Sequence, residues 1–392
     1  MKKTMFGQEV FLMRFSEAHT GWQSGKLTQV EAAQLLGVSE RTFRRQLASY
    51  ERDGIEGLKD KRLGQVSHRR VAVDELTKTL TEYKTMHSGW NVRHFYWQYT
   101  EKLGGKRSYT WVKNSLQKAG AVTKRPAKGK HRLRREPSPI PGMMIHQDAS
   151  THEWVPGKKW DLVATMDDAT NEQYSMFFVE QEGTASSFRG VGDVIKLKGL
   201  FSTFYSDRGS HYWNTPEAGG KVDKGNPTHF GVAMERLSIT MIPAYSPEAR
   251  GRSERMFETH QDRLVKELAL HKITEMEAAN LYIAKTYMPE FNLQFKRPAR
   301  EKGSAFVKYA GPDLDDVLCE QYDRTVGKDN CVRFENLALQ IPAVQYRFHF
   351  VKATVKVCKY TDGRMAIFHG PRKLAVYNLD GKEVRQTKRK AA

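Results

Sequence analysis

Residues 124–135 hold seven lysines and arginines, together with Pro126 and Gly129, and Pro137, Pro139 and Pro141 follow at once. No apolar period survives there, so no helix or strand can carry a shared core across it. The segment reads as a flexible basic linker able to lie along phosphates, and the prolines that close it mark the next domain boundary. A merely solvated tether is the plainer reading of the same residues. The length, 392 residues, leaves room for two to four compact units.

Charge is as unevenly spread as structure. The net balance is +19, but residues 1–141 carry 28 Lys and Arg against 13 Asp and Glu, whereas residues 142–312 carry 21 against 22. Residues 313–392 carry 15 against 10. A basic front half and a near-neutral middle suggest that polyanion affinity sits mainly in the N-terminal units, with chemistry in the middle. Three cysteines, Cys319, Cys331 and Cys358, form no CxxC pair, which argues against a zinc site and a disulfide framework. No segment approaches the roughly 20 apolar residues of a membrane span, and no signal peptide follows the basic start, so a soluble cytoplasmic protein associated with the nucleoid is expected.

Two helical units are expected before the linker. In the first, residues 1–65, Thr28-Gln29-Val30-Glu31 forms a capping box, the helix breaks at Gly37, and Ser39 caps a second helix. Phe43 and Leu47 face inward, leaving Arg41, Thr42, Arg44, Arg45 and Gln46 as candidate DNA contacts of a helix-turn-helix. An ordinary helical hairpin with a solvated basic face fits the same spacing. The second unit, residues 66–122, shows helical periods over 73–85, 92–103 and 110–119, with Asn91 and Ser108 as caps. It is expected to be another small DNA-binding module, although its cluster Trp90, Phe95, Tyr96, Trp97, Tyr99 and Trp111 suits a core better than a base-stacking surface. The linker, residues 123–141, adds Lys124, Arg125, Lys128, Lys130, Arg132, Arg134 and Arg135 as phosphate contacts.

From Gly142 the period changes to that of strands. Runs at 143–148, 160–166 and 174–179, with a hairpin turn at Asp167-Asp168-Ala169-Thr170-Asn171, precede a helix over 185–196. A strand into Asp207, a helix near 230–237, a strand at 238–242 and a long helix over 251–270 follow. This order predicts an α/β sheet of the ribonuclease H type over residues 142–310, with a further capping box at Thr274-Glu275-Met276-Glu277. Residues 311–392 alternate as strands do and end in a basic tail, so a small β-barrel is expected.

Three acids occupy telling positions in that middle unit. Asp148 ends a strand, Asp207 ends another just before Arg208-Gly209, and Glu254 begins the long helix. Cutting a phosphodiester requires charge neutralisation at both the entering and the leaving oxygen, which two divalent ions held by carboxylates provide. Each acid also has a plain explanation: a solvent-facing strand end, a turn former, and a first-turn glutamate favoured by the helix dipole. Glu248 and Glu258 are rivals for the third place, while the hairpin turn accounts for Asp167 and Asp168. Arg208, Arg250, Arg252, Arg255 and Lys266 flank the acids as candidate phosphate contacts.

The blocks His146-Gln147-Asp148, Tyr205-Ser206-Asp207-Arg208-Gly209-Ser210 and Tyr245-Ser246-Pro247-Glu248-Ala249-Arg250-Gly251-Arg252-Ser253-Glu254-Arg255-Met256-Phe257 resemble the acidic motifs of insertion-sequence transposases with a retroviral-integrase catalytic core. The resemblance is nearest to the ISNCY group and runs from the helix-turn-helix to Phe295-Lys296-Arg297-Pro298-Ala299. It implies Asp148, Asp207 and Glu254 as ligands of two Mg2+ ions (or Mn2+), cleavage at element ends to free a 3′-hydroxyl, and attack of that hydroxyl on target DNA. It also implies terminal inverted repeats and target duplex as partners, and a homodimer or higher oligomer in a synaptic complex. The 46 positions between the second and third acids are more than such cores usually hold, and the glycine-rich stretch 216–227 reads as a loop insertion that absorbs the excess. A non-catalytic DNA-binding regulator and a ribonuclease H-like nuclease without strand transfer remain as alternatives.

Overall fold

The computed structural model describes residues 5–61, 71–124, 136–217, 220–245 and 247–384, with the side chains of 5 and 247–252 outside that description. The chain divides into two compact units, Met1–Glu82 and Tyr83–Ala392.

The first unit is helical. Helices α1 (Met5–Gln23), α2 (Gln29–Leu35) and α3 (Glu40–Asp53) close over Phe15, Ala18, Ala32, Ala33, Phe43 and Leu47. Both expected caps form. Glu31 accepts from the Thr28 backbone at 2.7 Å while its own N–H donates to the Thr28 hydroxyl, and Ser39 accepts from Thr42 N–H. Gly37 takes φ +65° between α2 and α3, a left-handed conformation that side chains disfavour, so the tight turn requires glycine there. Helix α4 (Val73–Met86) contains the division between the units.

In the second unit, α5 (Val92–Glu101) and α6 (Tyr109–Lys118) are capped by Asn91 and Ser108 as expected. Trp90, Phe95 and Tyr99 are buried, which settles those three aromatics as core. A five-stranded sheet follows: β1 (Met144–Val155), β2 (Lys158–Asp167), β3 (Gln173–Val179), β4 (Thr203–Ser206) and β5 (Thr240–Pro243), in the order β3-β2-β1-β4-β5. Strands β1 to β3 pair antiparallel, while β4 runs parallel to both β1 and β5. That is the arrangement expected from the sequence.

Helices cover both faces. Against one lie α7 (Thr184–Lys198) and α8 (His229–Arg236), whose Phe188, Val191, Phe230 and Met234 share a core with Ile145 and Phe204. Against the other lie α9 (Pro247–Leu270), α10 (Met276–Tyr282), a π-helical turn and α11 (Met288–Phe295). Met256, Phe257, Leu264 and Leu268 of α9 pack there with Trp154, Leu162, Ala164 and Phe178. The expected capping box at Thr274 does not form. Glu275 itself occupies the cap position and its carboxylate is drawn to Lys158 at 2.7 Å.

The C-terminal strands β6 (Glu320–Thr325), β7 (Cys331–Phe334), β8 (Leu337–Gln340), β9 (Thr354–Lys359), β10 (Met365–His369) and β11 (Arg372–Tyr377) form a four-stranded sheet, β11-β10-β9-β6, and a β7-β8 hairpin. Both enclose one core that includes Val332, Leu339, Val357 and Ile367. The strand alternation was legible, but the described residues form two sheets rather than a closed barrel. Alternation specifies an inward face, not the pairing that would close the ring.

Candidate active site

The register of β1 against β4 decides where the first two acids fall. His146 lies opposite Tyr205 in the last parallel pair, and Asp148 and Asp207 each follow two residues later. With a strand period of two, both continue the same face of the sheet. That face is the one α9 covers, because Trp154, on the same side of β1 as Asp148, packs in the core that α9 shares. Both carboxylates are half-buried. Asp148 accepts from Ala149 N–H at 3.0 Å, and Asp207 from Gly209 N–H at 2.9 Å in a tight turn.

A buried polar scaffold ties β1 to the loop that follows β4. The Tyr212 hydroxyl, in the loop after Asp207, donates to Gln147 Oε1 at 3.0 Å, next to Asp148. Gln147 in turn donates to the Thr165 hydroxyl on β2 at 2.9 Å. Tyr212 is 1% exposed, and burial followed by the charges of Glu182, Asp148 and Asp207 pushes its pKa well up, so it remains a neutral donor. A β-carbon on Gly190 would stand 2.0 Å from Gln147 Nε2, so α7 can approach this scaffold only with glycine there. His211 Nε2 lies 3.2 Å from Glu182 Oε1, beside the Asp207 turn. Gln147, Glu182, His211 and Tyr212 were not anticipated from sequence. The signal was available in Ser210-His211-Tyr212, which extends the Asp-Arg-Gly motif, but buried partners are not visible in a linear pattern.

Glu254 is exposed on α9. Two helical turns later Gln261 donates to the Ser150 hydroxyl of β1 at 2.9 Å, so Glu254 lies on the helix side that meets β1. Among the described residues no group of three or more His, Cys, Asp or Glu side chains is gathered so as to hold a metal ion. Strand register brings Asp148 and Asp207 to neighbouring positions, and Glu254 stands on the side of α9 that faces β1. Asp148 does not end its strand as expected but lies within β1, beside the end of β4 that Asp207 follows; carboxylates are the donors that Mg2+ takes, and these two adjoin.

The remaining expected residues sort by what they touch. Asp167 and Asp168 are fully buried: Asp167 closes the hairpin through Thr170 and holds Gly142 N–H at 2.8 Å. Asp168 binds His146 Nε2 at 2.9 Å and the Ser138 backbone at 2.7 Å, so this pair anchors the chain leaving the linker. Burial raises the Asp167 pKa. Arg208 donates to the Gly220 carbonyl at 2.7 Å and lies over Tyr245, which directs it to the loop insertion. Lys266 is paired with Asp262, while Arg255 and the rival Glu258 are exposed. Glu248, Arg250 and Arg252, with Arg125, Lys128, Lys130, Arg132, Arg134 and Arg135, lie outside the described side chains; Lys124 is exposed. On α3, Arg41, Arg44 and Arg45 are exposed, Thr42 is engaged with Ser39, and Gln46 is half-buried.

Residues 20–75 match the winged helix-turn helix family. Over 356 residues the chain is 30% identical to the protein named "Putative transposase y4bF" of Sinorhizobium fredii (strain NBRC 101917 / NGR234), covering 88% of this chain and 75% of that one. The chain belongs to the insertion-sequence transposases. It is also 26% identical to the transposase for insertion sequence IS1202 of Streptococcus pneumoniae, over 86% of this chain and 80% of that one. Two solved structures show a distant likeness. One is a simian T-cell lymphotropic virus intasome in complex with PP2A regulatory subunit B56 gamma (14% identity, 74% of this chain and 91% of that chain, TM-score 0.34). The other is the HTLV-2 integrase catalytic core domain in complex with magnesium (15% identity, 38% and 88%, TM-score 0.29). No helix among the described residues of this transposase is long and apolar enough to cross a membrane.

Proposed function

We propose that this chain binds the terminal inverted repeats of its element, cleaves the DNA ends to free 3′-hydroxyls and joins them to target DNA. The observation that carries the reading is the adjoining register of Asp148 and Asp207 on the face covered by α9, in a chain of transposase ancestry. Asp148, Asp207 and Glu254 would hold two Mg2+ ions (Mn2+ may replace them). When bound, the ions supply charge neutralisation at the attacking and leaving oxygens. Glu254 would join the two aspartates from the side of α9 that meets β1.

The protein's own contribution is placement. Tyr212 and Gln147 hold β1 and the loop after β4 in fixed relation, and the neutral phenol lends the site no competing charge. In the first step a water oxygen attacks the phosphodiester and the 3′-oxygen leaves with a proton. In the second, that 3′-hydroxyl attacks a target phosphodiester, loses its proton and displaces a new 3′-oxygen, so the number of phosphodiester bonds is conserved. No protein nucleophile is required. The winged helix-turn helix and the basic linker would hold the ends, and a homodimer or larger assembly would bring two ends together.

Incubation with Mg2+ and a labelled end-sequence duplex joined to flanking DNA tests this. Joined products are expected; cutting without joining would indicate a nuclease, and binding alone a regulator. Asp207→Asn should abolish joining while leaving end binding nearly intact, and equal loss of both would undo the assignment of roles.

A further inference from the structure

Glu267, near the C-terminal end of α9, is a carboxylate that the chemistry above does not use, and it is 4% exposed. Its surroundings are unusually complete. Oε1 lies 2.6 Å from His94 Nε2 and accepts from Gln98 at 3.0 Å, while Oε2 accepts from the Tyr282 hydroxyl at 2.9 Å. His94 and Gln98 belong to α5, Tyr282 to α10. One turn earlier on α9, Asp262 accepts from Asn91, the residue that caps α5. Lys102, the residue that follows α5, is paired with Glu290 on α11. The helical module after Tyr83 is thus joined to the catalytic helix layer through a buried, hydrogen-bonded carboxylate. Such a junction has one geometry, because any slippage would strand several polar groups without partners. Buried polar contacts of this kind are a recognised way of fixing register.

The module's other side has a different character. Helix α6 buries Val112 and Leu116 toward α5 and turns Thr110, Asn114 and Lys118 to solvent, with Lys113 and Gln117 at its flanks. Residues 104–124 contain Lys106, Arg107, Lys113, Lys118 and Lys124 and no acid at all. An outward helix face of amide, hydroxyl and ammonium groups, free of carboxylates, is complementary to the edge of a duplex groove rather than to a protein surface.

We propose that α6 reads duplex DNA of the element end beside the cut, and that the Glu267 junction holds this reading helix at a fixed distance from the acids. The inference rests on the transposase reading and deepens it: the cut position is measured from α6, while the N-terminal helix-turn-helix contributes a separate contact. Glu267 and Tyr282 are positioning residues that touch no DNA.

Two measurements on the full chain test it, and they fail separately from the catalytic reading. In the first, a random-sequence duplex library is selected in chelator, without metal, and the bound pool is sequenced. The wild type should enrich two blocks of preference, and the double variant Lys113→Ala, Asn114→Ala should lose one block only, with about a five- to hundredfold loss for duplexes carrying it. A single block in the wild type, or two in the variant, overturns α6 as a reader. In the second, cut positions are mapped at single-nucleotide resolution with Mg2+. Glu267→Gln, and the milder Tyr282→Phe should the first fail to fold, are expected to spread cleavage over neighbouring phosphates while both binding blocks persist. A single wild-type position in a folded variant overturns the junction's role. Absence of cutting in the wild type refutes the catalytic reading and with it the junction's role in cutting, leaving the library result to decide α6.

Discussion

Tyr212→Phe is the sharpest probe of how the two aspartates are positioned. The change removes one oxygen and no ring, so packing against Phe204 and Phe230 is retained. It deletes the donor 3.0 Å from Gln147 Oε1 and leaves that buried acceptor without its phenol. An unmet buried acceptor costs about 1–3 kcal/mol, and a domain of this size loses roughly 2–4 °C of Tm for each kcal/mol. A fall of about 3–10 °C is therefore expected, followed by the fluorescence of Trp154, Trp160 and Trp213, which lie in the core of the same unit. The functional effect should exceed the stability effect. With the loop after Asp207 untied from β1, the carboxylate spacing loosens, and a misplacement on the order of 1 Å costs roughly a hundredfold in rate. Joining should fall by about ten- to hundredfold at a temperature where the variant is fully folded, with end binding unchanged. A variant that melts and joins like the wild type would show that the Tyr212–Gln147 link does not set the acids.

Three other outcomes follow from the same geometry. Gly190→Ala should destabilise the second unit by about 1–3 kcal/mol in urea unfolding, because the new methyl meets Gln147 Nε2 at 2.0 Å and the scaffold must shift. His260 is buried, bonded to the Tyr287 hydroxyl at 3.0 Å, and its pKa is lowered to about 3 by burial and by Arg263. The unfolded chain binds that proton from about pH 6.5 downward, so stability is full above that value and falls by up to about 1.4 kcal/mol per pH unit as pH drops toward 3. His260→Gln keeps a partner for Tyr287 and should flatten the acid limb of Tm against pH; an unchanged slope would assign acid lability elsewhere. Mg2+ at 100 times its dissociation constant should stabilise the wild type by about 2.7 kcal/mol and Asp148→Asn much less, read by calorimetry with and without chelator.

What was legible in the sequence follows the range of the forces involved. Caps at Thr28, Ser39, Asn91 and Ser108 and the order of helices and strands are set by neighbours within a few residues, and those expectations match the structure. The end of the first strand was misread: Asp148 was expected to close it, but β1 runs on to Val155 because its pairing with β2 continues through Glu153. The Thr274 box failed because a distant lysine, Lys158, competes for Glu275, and nothing local records that. The same blindness hid Gln147 and Tyr212, which are 65 positions apart and meet only after β1 and β4 have paired. It also hid Glu267, which reads as one more helical acid until α5 closes over it. Asp167 and Asp168 were assigned to the hairpin turn, and Asp167 does close it, but their contacts to Gly142 and Ser138 required the fold to appear.

The acids differ in what holds them, and that difference should shape how the site responds to change. Asp148 and Asp207 inherit their positions from strand register. A slip of one residue would turn either to the opposite face, so perturbations of β1 or β4 should act in an all-or-none way. Glu254 inherits its position from a helix seated by Met256 and Phe257 in the core and by Gln261 on Ser150. Helix seating yields by fractions of an ångström as side chains are trimmed, so changes there should be graded. Two acids are thereby fixed by the sheet and the third by packing that can adjust. On the proposed reading, substitutions in β1 or β4 should therefore abolish joining outright, whereas trimming Met256 or Phe257 should lower it by degrees.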